Sequence, residues 1–448
     1  MTRQLCETDR LDEKMSDTSD SDRASVYSTF TLTAHDDLLA SKQPPAVDVG
    51  LRPWLIVVGG FSAQVCSFGY INVVGIFQEY YQTHQLQLMT PSTIAWIGSV
   101  QSFVLSFASL LFGRMSDVFG PRLVVVPGAI MLVVGVFATG FCTEFYQFML
   151  AQGVCTGLGS SALFYSSTAA VSSWFSKRRA TAFGVAASGA SFGGIIFPIT
   201  IRHIEEAHGF RAAIFAVSAI LLFFSLVACF TLTGRLAPVG WKDDGRSLVQ
   251  LYAAPLREPA FVVLTVGYFF AYLGLFVPFA YLTGYAVHEG ASTSMAFYMV
   301  AFLNAGSIFG RIICGRLADH FGNFNVQTIF ILVSSLASLA LWLPTHSPAA
   351  TVAYSVIYGF CSGGVLCLYP AVVAKISPIS EIGTRMGTIT AFMAVGSLAG
   401  SPIAGQLISA MNGSFAGVCI FTGVSLALAA AGVFTCKIMI SHDAFSKT

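Results

Sequence analysis

The chain has 448 residues, of which 55% are hydrophobic and 10% are charged, and its formal net charge is +1. Soluble domains carry about 25% charged residues. This composition therefore excludes a water-soluble enzyme, a disordered protein and a nucleic-acid-binding protein, which needs a basic surface. Because a membrane helix needs about 20 apolar residues, the chain has room for roughly twelve. The lipid bilayer is its first expected partner.

The N-terminal segment differs from the rest of the chain. It holds ten of the 22 acidic residues and a Ser/Asp-rich stretch at 15–30, and it lacks the apolar core of a signal peptide. Such a segment cannot bury enough apolar surface to fold. We expect a disordered cytosolic tail over residues 1–50.

Twelve apolar runs follow, in two sets of six. They are predicted at 54–78, 93–112, 123–142, 146–172, 181–203 and 212–234, and then at 260–285, 294–314, 326–344, 349–374, 386–409 and 415–438. The sequence thus predicts an all-α membrane protein with twelve transmembrane helices. Its expected parts are a six-helix bundle at 51–234, a cytosolic linker at 235–259, a six-helix bundle at 260–438 and a cytosolic tail at 439–448.

Basic residues are concentrated in alternate loops. If the N-terminus is cytosolic, the outer loops carry only Arg202 and Arg211. The inner loops then carry Arg114, Arg122, Lys177, Arg178, Arg179, Arg235, Lys242, Arg246, Arg257, Arg316, Lys375, Arg385 and Lys437. Lys and Arg favour the cytosolic side of a membrane. We predict that both termini are cytosolic and that the protein lies in the plasma membrane.

An internal repeat relates the two sets of spans. The segment GRMSDVFG at 113–120 recurs as GRLADHFG at 315–322, an offset of 202 residues, and Arg178 corresponds to Arg385. Repeated halves are typical of secondary transporters, whose substrate binds near the midplane between the repeats.

These two segments resemble the loop signature of the major facilitator superfamily, and the resemblance covers nearly all of the chain after residue 50. The stretches GIFQEYY at 75–81, WFSKRRATAFG at 174–184 and AASGASFGG at 186–194 are most similar to its monocarboxylate-transporter-like branch, especially fungal members. The resemblance implies two pseudo-symmetric six-helix bundles that move a small organic solute by alternating access.

Asp117 and Asp319 lie in the two repeated segments, which are predicted to be tight inner loops flanked by Arg. An anion there can face a helix N-terminus and accept hydrogen bonds from Arg. The resemblance implies a latch that stabilises one access state, whereas the alternative is a solvated loop charge that assists topology. The candidate gating residues are Arg114, Asp117, Arg122, Arg316, Asp319, Arg178 and Arg385. For the basic run at 177–179, a membrane anchor is the preferred interpretation.

Arg311 is the one basic residue that lies inside a predicted span and not at its last two residues. A charge inside the membrane is costly and points to function, although a position about one turn from the predicted inner end would also allow snorkelling to the interface. Animal monocarboxylate transporters have an Arg near this place that binds the substrate carboxylate. Their Asp one turn earlier is absent here, where Ser307 or Asn304 stands, and their Lys in the first span is absent too. These departures argue against simple lactate/proton cotransport.

Polar and aromatic side chains on the first, fourth, seventh and tenth spans are cavity candidates, because the resemblance places these helices around the central path. Gln64 and Asn72 are expected close to one face of the first span. The candidate substrate-binding residues are Arg311, Asn304, Gln64, Asn72, Tyr165, Tyr268, Tyr272 and Tyr369. Each aromatic residue could instead serve packing or interface anchoring. Together they predict a pocket for an amphipathic organic molecule.

The sequence thus predicts a secondary active or facilitative transporter of a monocarboxylate-like or amphipathic organic anion. Export of a fungal secondary metabolite is the alternative, and a transporter-derived nutrient sensor is a third hypothesis. The drug-antiporter signature has Gly-Pro where Gly189-Ala190 stands here, which argues mildly against proton-driven drug export. No Asp or Glu lies in the middle of a span, so protons are only one option for coupling. No enzyme activity, cofactor, metal, nucleic acid or obligate protein partner is expected.

Overall fold

A computed structural model describes residues 50–235, 248–344, 347–378 and 381–441. Regular structure in these residues is helical throughout, and eleven of the helices are long and apolar enough to cross a membrane. One further continuous run, 145–174, joins a short α-helix, a π-helix at Met149–Cys155 and an α-helix at Thr156–Trp174. The prediction of an all-α membrane protein is confirmed. Residues 1–49 and 442–448, which make up most of the predicted tails, lie outside the described residues.

The first six helical runs are named α1 to α6. Their bounds are Leu51–Thr83 for α1, 91–119 for α2, Pro121–Thr139 for α3, 145–174 for α4, Arg179–His208 for α5 and Phe210–Thr231 for α6. A π-helix at Val65–Gly69 and a turn at 72–73 interrupt α1. Gln64 lies directly before this π-helix and Asn72 in the turn, and their common face stays a prediction.

The second six runs, α7 to α12, follow a short helix at Leu248–Ala253 and a 3₁₀ turn at Pro255–Arg257. Their bounds are Pro259–His288 for α7, Thr293–Phe321 for α8, Asn323–Trp342 for α9, Pro348–Lys375 for α10, Ile382–Ala410 for α11 and Ala416–Ser441 for α12. We call α1 to α6 the first half and α7 to α12 the second half. The division into domains at the expected boundaries stays a prediction.

The two repeated segments are helical, and their prediction as loops is wrong. The second and eighth spans are predicted to end at 112 and 314, but α2 continues to Phe119 and α8 to Phe321. Only Gly120 and Gly322 leave the helix, with φ of 84° and 96°, a backbone conformation that glycine adopts without steric penalty. An apolar run ends where the helix meets water, whereas the hydrogen-bonded helix itself continues further.

Large apolar side chains cover the outside of the bundle. On α3, Leu123, Ile130 and Val134 are exposed, and on α6, Phe223 and Phe230 are exposed. A surface of this kind would be costly in water and is normal against lipid chains. The main contacts between the halves run elsewhere, along α5 with α8 and along α2 with α11.

Candidate functional site

Two carboxylates join the halves at the inner end of the bundle, the end that carries most of the basic residues and is predicted to be cytosolic. Asp319 of α8 accepts hydrogen bonds from the amides of Ala180 (3.0 Å) and Thr181 (2.9 Å) and from the Thr181 hydroxyl (2.5 Å). Asp117 of α2 accepts hydrogen bonds from the amide (3.0 Å) and the hydroxyl (3.2 Å) of Thr384. Each carboxylate therefore caps the first turn of a helix in the opposite half, where free amides and the helix dipole favour an anion.

This arrangement corrects the expected partners of the two aspartates. Each faces a helix N-terminus, as expected of an anion at this position, but the donors are amides and threonine hydroxyls, not arginines. Arg114 lies three residues before Asp117 on α2 and acts on it through its charge only. We call the contacts of Asp117 with Thr384 and of Asp319 with Thr181 the inner gate.

Glycines bring the helix backbones together beside the inner gate. A methyl group added to Gly113 of α2 would overlap the carbonyl oxygen of Gly383, and one added to Gly383 would overlap that of Gly113. Between α5 and α8, a methyl group on Gly184 would overlap the carbonyl oxygen of Arg311. Small residues permit this close packing in membranes. The inner ends of the two halves are thus in backbone contact, and the inner end is closed.

The other basic residues of the predicted gating set surround these contacts. Arg122 and Arg316 are exposed, and Arg114 is half-buried. Arg178 is exposed and occupies the N-cap position of α5. Their positions agree with an anchoring role at the cytosolic interface, and a gating role for them stays a prediction.

Arg385 pairs with Glu258 inside the second half. The Arg385 Nη1 and Nη2 atoms donate to the two Glu258 carboxylate oxygens at 2.9 and 2.5 Å, and Nη1 also donates to the Ile376 carbonyl oxygen at 3.1 Å. The Arg385 side chain is 8% exposed and that of Glu258 is 49% exposed. A bidentate pair of this kind is strong and directional. It ties the first turn of α11, which Asp117 caps, to the residue that precedes α7.

The segment before α7 also reaches the first half. The Tyr252 hydroxyl, on the short helix Leu248–Ala253, donates to the Leu110 carbonyl oxygen of α2. Burial raises the pKa of this phenol, so it remains a neutral donor. The segment therefore contacts α2 through Tyr252 and α11 through Glu258. These are the two helices that the hydrogen bonds of Asp117 join.

Arg311 is buried at the interface between α5 and α8. Its Nε donates to Ser307 Oγ at 3.1 Å, and its Nη1 donates to the carbonyl oxygen of Ala187 on α5. Ser191 Oγ donates to the same Ser307 Oγ at 2.9 Å. Among the described residues, no Asp or Glu forms an ion pair with Arg311. This guanidinium is therefore held by neutral oxygens from both halves.

The burial of Arg311 separates the two sequence-based interpretations. Arg311 is 6% exposed, and its guanidinium donates to Ser307, one turn earlier on α8, and to Ala187 of the opposite half. Snorkelling to the interface, the alternative interpretation, is therefore not what this side chain does.

Four predicted aromatic residues lie near one another, and one of them, Tyr272, lies near Arg311. The rings of Tyr268 on α7 and Tyr369 on α10 are 5.3 Å apart in an edge-to-face arrangement. Tyr272, one turn from Tyr268, lies within electrostatic range of both Tyr165 on α4 and Arg311. The structure thus brings four phenols together and links them to Arg311 through Tyr272.

The amide residues of the predicted set are more dispersed. Asn304 donates to the Val300 carbonyl oxygen of its own helix at 3.0 Å and contacts Gly194 of α5. Asn72 donates to the Phe68 carbonyl oxygen of its own helix at 2.8 Å, so its amide is used locally on α1.

Gln64 lines a narrow cleft between α1, α4, α5 and α10. The cleft is bounded mainly by small and aromatic side chains, among them Ser167, Phe183, Ala187 and Cys367. Two of these wall residues contact Arg311, since Ala187 accepts its hydrogen bond and Cys367 Sγ donates to its carbonyl oxygen at 3.4 Å. The cleft therefore leads to the surroundings of Arg311.

Hydroxyl residues of this region escaped the sequence analysis. Thr390 of α11 shares a 2.5 Å hydrogen bond with Tyr369, and the Tyr165 hydroxyl lies beside Thr390 and Ser109. Ser191 was missed as well. Serine and threonine are frequent in membrane helices, so only the spacing of Ser307 one turn before Arg311 could have drawn attention to a polar face.

Comparison with known proteins agrees with this architecture. Residues 56–369 match the Major Facilitator Superfamily. Among solved structures, the human organic anion transporter MFSD10 superimposes with a TM-score of 0.67 at 18% identity, covering 86% of this chain and 100% of that chain. The transporter FucP in the outward conformation gives a TM-score of 0.65 at 14% identity, covering 85% and 98%. At these identities the likeness concerns the fold.

Fungal proteins are more similar in sequence. The MFS transporter asaE of Aspergillus flavus is 37% identical over 88% of this chain and 88% of its own length. The fujikurins efflux protein of Gibberella fujikuroi is 36% identical over 91% and 87%, and the aspyridones efflux protein apdF of Emericella nidulans is 35% identical over 91% and 82%. The chain therefore belongs to the Major Facilitator Superfamily and is an integral multi-pass membrane transporter, not an enzyme.

Proposed function

We propose that this protein exports an amphipathic organic anion, a secondary metabolite of a fungal type, by alternating access. The observation that carries the proposal is the set of relatives named as efflux proteins, which match this chain at 35–36% identity over 91% of its length. Export was the alternative hypothesis from the sequence. The resemblance to the monocarboxylate-transporter-like branch carries less weight than these matches.

The chemistry around Arg311 supports an anionic substrate. A buried guanidinium that is held only by neutral oxygens retains a full positive charge in a region of low dielectric. An anionic group that donates no proton is the complementary ligand, since charge-assisted hydrogen bonds to carboxylates and similar groups are strong.

The tyrosine rings support an apolar or aromatic body on that anion. Tyr272 lies near Arg311, and Tyr165 and Tyr369, on two further helices, lie near Tyr272. Aromatic side chains offer a large apolar contact area together with a hydroxyl group at the tip. A small carboxylate such as lactate would leave most of this surface unused.

Export requires that the inner end open to admit the substrate. In the closed arrangement, the inner gate and the contact between Gly184 and Arg311 block the path from the cytosolic side. Breaking these contacts in concert would open it, with the two halves moving against each other around the central site. We place both termini in the cytosol and the protein in the plasma membrane, which suits release from the cell.

Uptake or facilitated diffusion of a monocarboxylate-like anion is the second candidate. Arg311 would serve it in the same way, so the direction of transport separates the two. Protons remain one option for the coupling ion in either case.

The test is untargeted metabolite analysis of cells and medium, with the gene deleted, present or overexpressed. For an exporter, at least one organic anion accumulates in deleted cells and is depleted from their medium. The opposite change would favour uptake. If no small molecule changed its distribution in either direction, the transport proposal would be wrong, and the sensor hypothesis would gain weight.

A further inference from the structure

Arg311 is bound by the opposite half of the protein itself when the inner end is closed. Its Nη1 donates to the Ala187 carbonyl oxygen of α5. One turn further along α5, Ser191 donates to Ser307, which in turn accepts from Arg311 Nε. Two positions one turn apart on α5 therefore meet two positions one turn apart on α8.

We propose that closing the inner end displaces the substrate from Arg311, because the Ala187 carbonyl oxygen takes the N–H group that the anion holds while the inner end is open. This inference rests on the proposed function and deepens it. It assigns Ala187 as an internal competitor of an organic anion. It also assigns Ser191 and Ser307 as positioning residues that bring Arg311 to Ala187.

The Arg311 guanidinium has different hydrogen-bond acceptors when the inner end is closed and when it is open. In the closed state, its bonds to Ala187 and Ser307 satisfy part of the guanidinium. Separation of α5 from α8 would remove the Ala187 oxygen, and a buried charged donor without an acceptor is costly. An anion that enters through the cleft beside Ala187, Gln64 and Cys367 would restore the missing acceptor. Arg311 therefore binds an anion more tightly when the inner end is open.

This difference in affinity suits an exporter. Substrate is taken up at the open inner end, where Arg311 lacks its internal partner, and is released as closure supplies the Ala187 oxygen. Linkage makes the effect reciprocal: a bound anion favours the inner-open state by the same factor by which closure weakens its binding. The sign of the population shift caused by an anion is thus a direct consequence of the proposal.

Hydrogen–deuterium exchange of the purified full-length protein tests the proposal without a transport assay. In the ligand-free protein, Arg311→Met is expected to speed amide exchange in the inner part of α5, residues 180–190, by about tenfold, the factor that corresponds to 1.4 kcal/mol. Arg311→Lys, which keeps the charge but cannot make both contacts, should give a smaller increase. Exchange in α12 and the thermal unfolding temperature serve as checks that the variants remain folded.

The second arm adds a probe anion to the parent protein. We expect 1-naphthoate to speed exchange in the same α5 segment and neutral 1-naphthamide to leave it unchanged. Unchanged exchange in Arg311→Met, or slower exchange with 1-naphthoate, would overturn the competition. No response to 1-naphthoate would overturn the assignment of Ala187 as an internal competitor of an organic anion.

The outcome is separable from that of the proposed function. If Arg311→Met speeds amide exchange while metabolite analysis finds no exported compound, the contact of Arg311 with Ala187 is supported and the proposal of export is wrong. If export of an anion depends on Arg311 but amide exchange in folded Arg311→Met is unchanged, the proposal of export is supported and the proposed competition with Ala187 is wrong.

Discussion

The Thr384 amide donates a hydrogen bond to the Asp117 carboxylate at 3.0 Å, from one half of the protein to the other. The Thr181 amide makes the corresponding bond to Asp319 at 2.9 Å. Thr181 and Thr384 are 203 residues apart, and the two aspartates are 202 apart. The internal repeat thus places the same helix cap at two points of the interface between the halves, and both caps join the halves at the closed inner end.

Replacement of Asp117 by Ala should leave membrane insertion intact and impair transport. The substitution removes the cap of α11, and a lost cap costs about 1 kcal/mol, which shifts the population away from the inner-closed state by roughly fivefold. The measurement is the transport rate divided by the amount of protein at the correct membrane. Asp319→Ala is the matched comparison and should act in the same direction. Full transport by correctly localised Asp117→Ala would remove the inner gate from the mechanism.

Replacement of Gly184 by Ala should hinder closure of the inner end. The added methyl group would overlap the Arg311 carbonyl oxygen, and overpacking of this kind costs roughly 1–3 kcal/mol. Transport should fall. Hydrogen–deuterium exchange should report a more open inner end. Gly75→Ala is the control, because a methyl group there meets nothing within 4 Å. Equal activity of the two variants would contradict the close contact of α5 with α8.

Replacement of Glu258 by Gln should lower the thermal stability of the second half. The buried Arg385 loses its bidentate partner. We expect a loss of about 1 kcal/mol, less than the roughly 1.5–3 kcal/mol of hydrogen bonds to charged groups, because half of Glu258 is exposed to solvent. Glu206→Gln, which alters an exposed pair with Arg202, should change stability by less than about 0.5 kcal/mol. If thermal unfolding in matched detergent shows no difference between the variants, the Glu258 pair is not a stabilising contact.

Two tyrosine-to-phenylalanine substitutions should differ in effect. Tyr369→Phe removes a hydroxyl that bonds to Thr390 at 2.5 Å and to the Met386 carbonyl oxygen at 3.2 Å, which costs about 1 kcal/mol. Tyr268→Phe removes a buried hydroxyl that lies near Gln327 but forms no hydrogen bond of ordinary length with the described residues, so it should cost less than Tyr369→Phe. Unfolding temperatures measured side by side decide the matter, and the reverse order would be inconsistent with this hydrogen-bond assignment.

The sequence was informative about features that depend on composition and repetition. The apolar runs predicted the helices, and the repeated GRxxD segments placed Asp117 and Asp319 in equivalent positions. The partners of the functional side chains were not predictable, because Ala187 contributes a carbonyl oxygen and Thr384 an amide, groups that every residue carries. The end of α8 was misjudged for a different reason, since hydropathy marks the edge of the bilayer and not the end of the helix.

Transport into inverted membrane vesicles tests the central claim most directly. Their cytosolic face points outward, so export from the cell becomes uptake into the vesicle. With the organic anion that metabolite analysis identifies, vesicles containing the parent protein should accumulate it faster than vesicles without the protein, and Arg311→Gln at equal abundance should abolish the difference. Accumulation that is the same with and without the protein, or that is unaffected by Arg311→Gln, would contradict export of an organic anion through the Arg311 site.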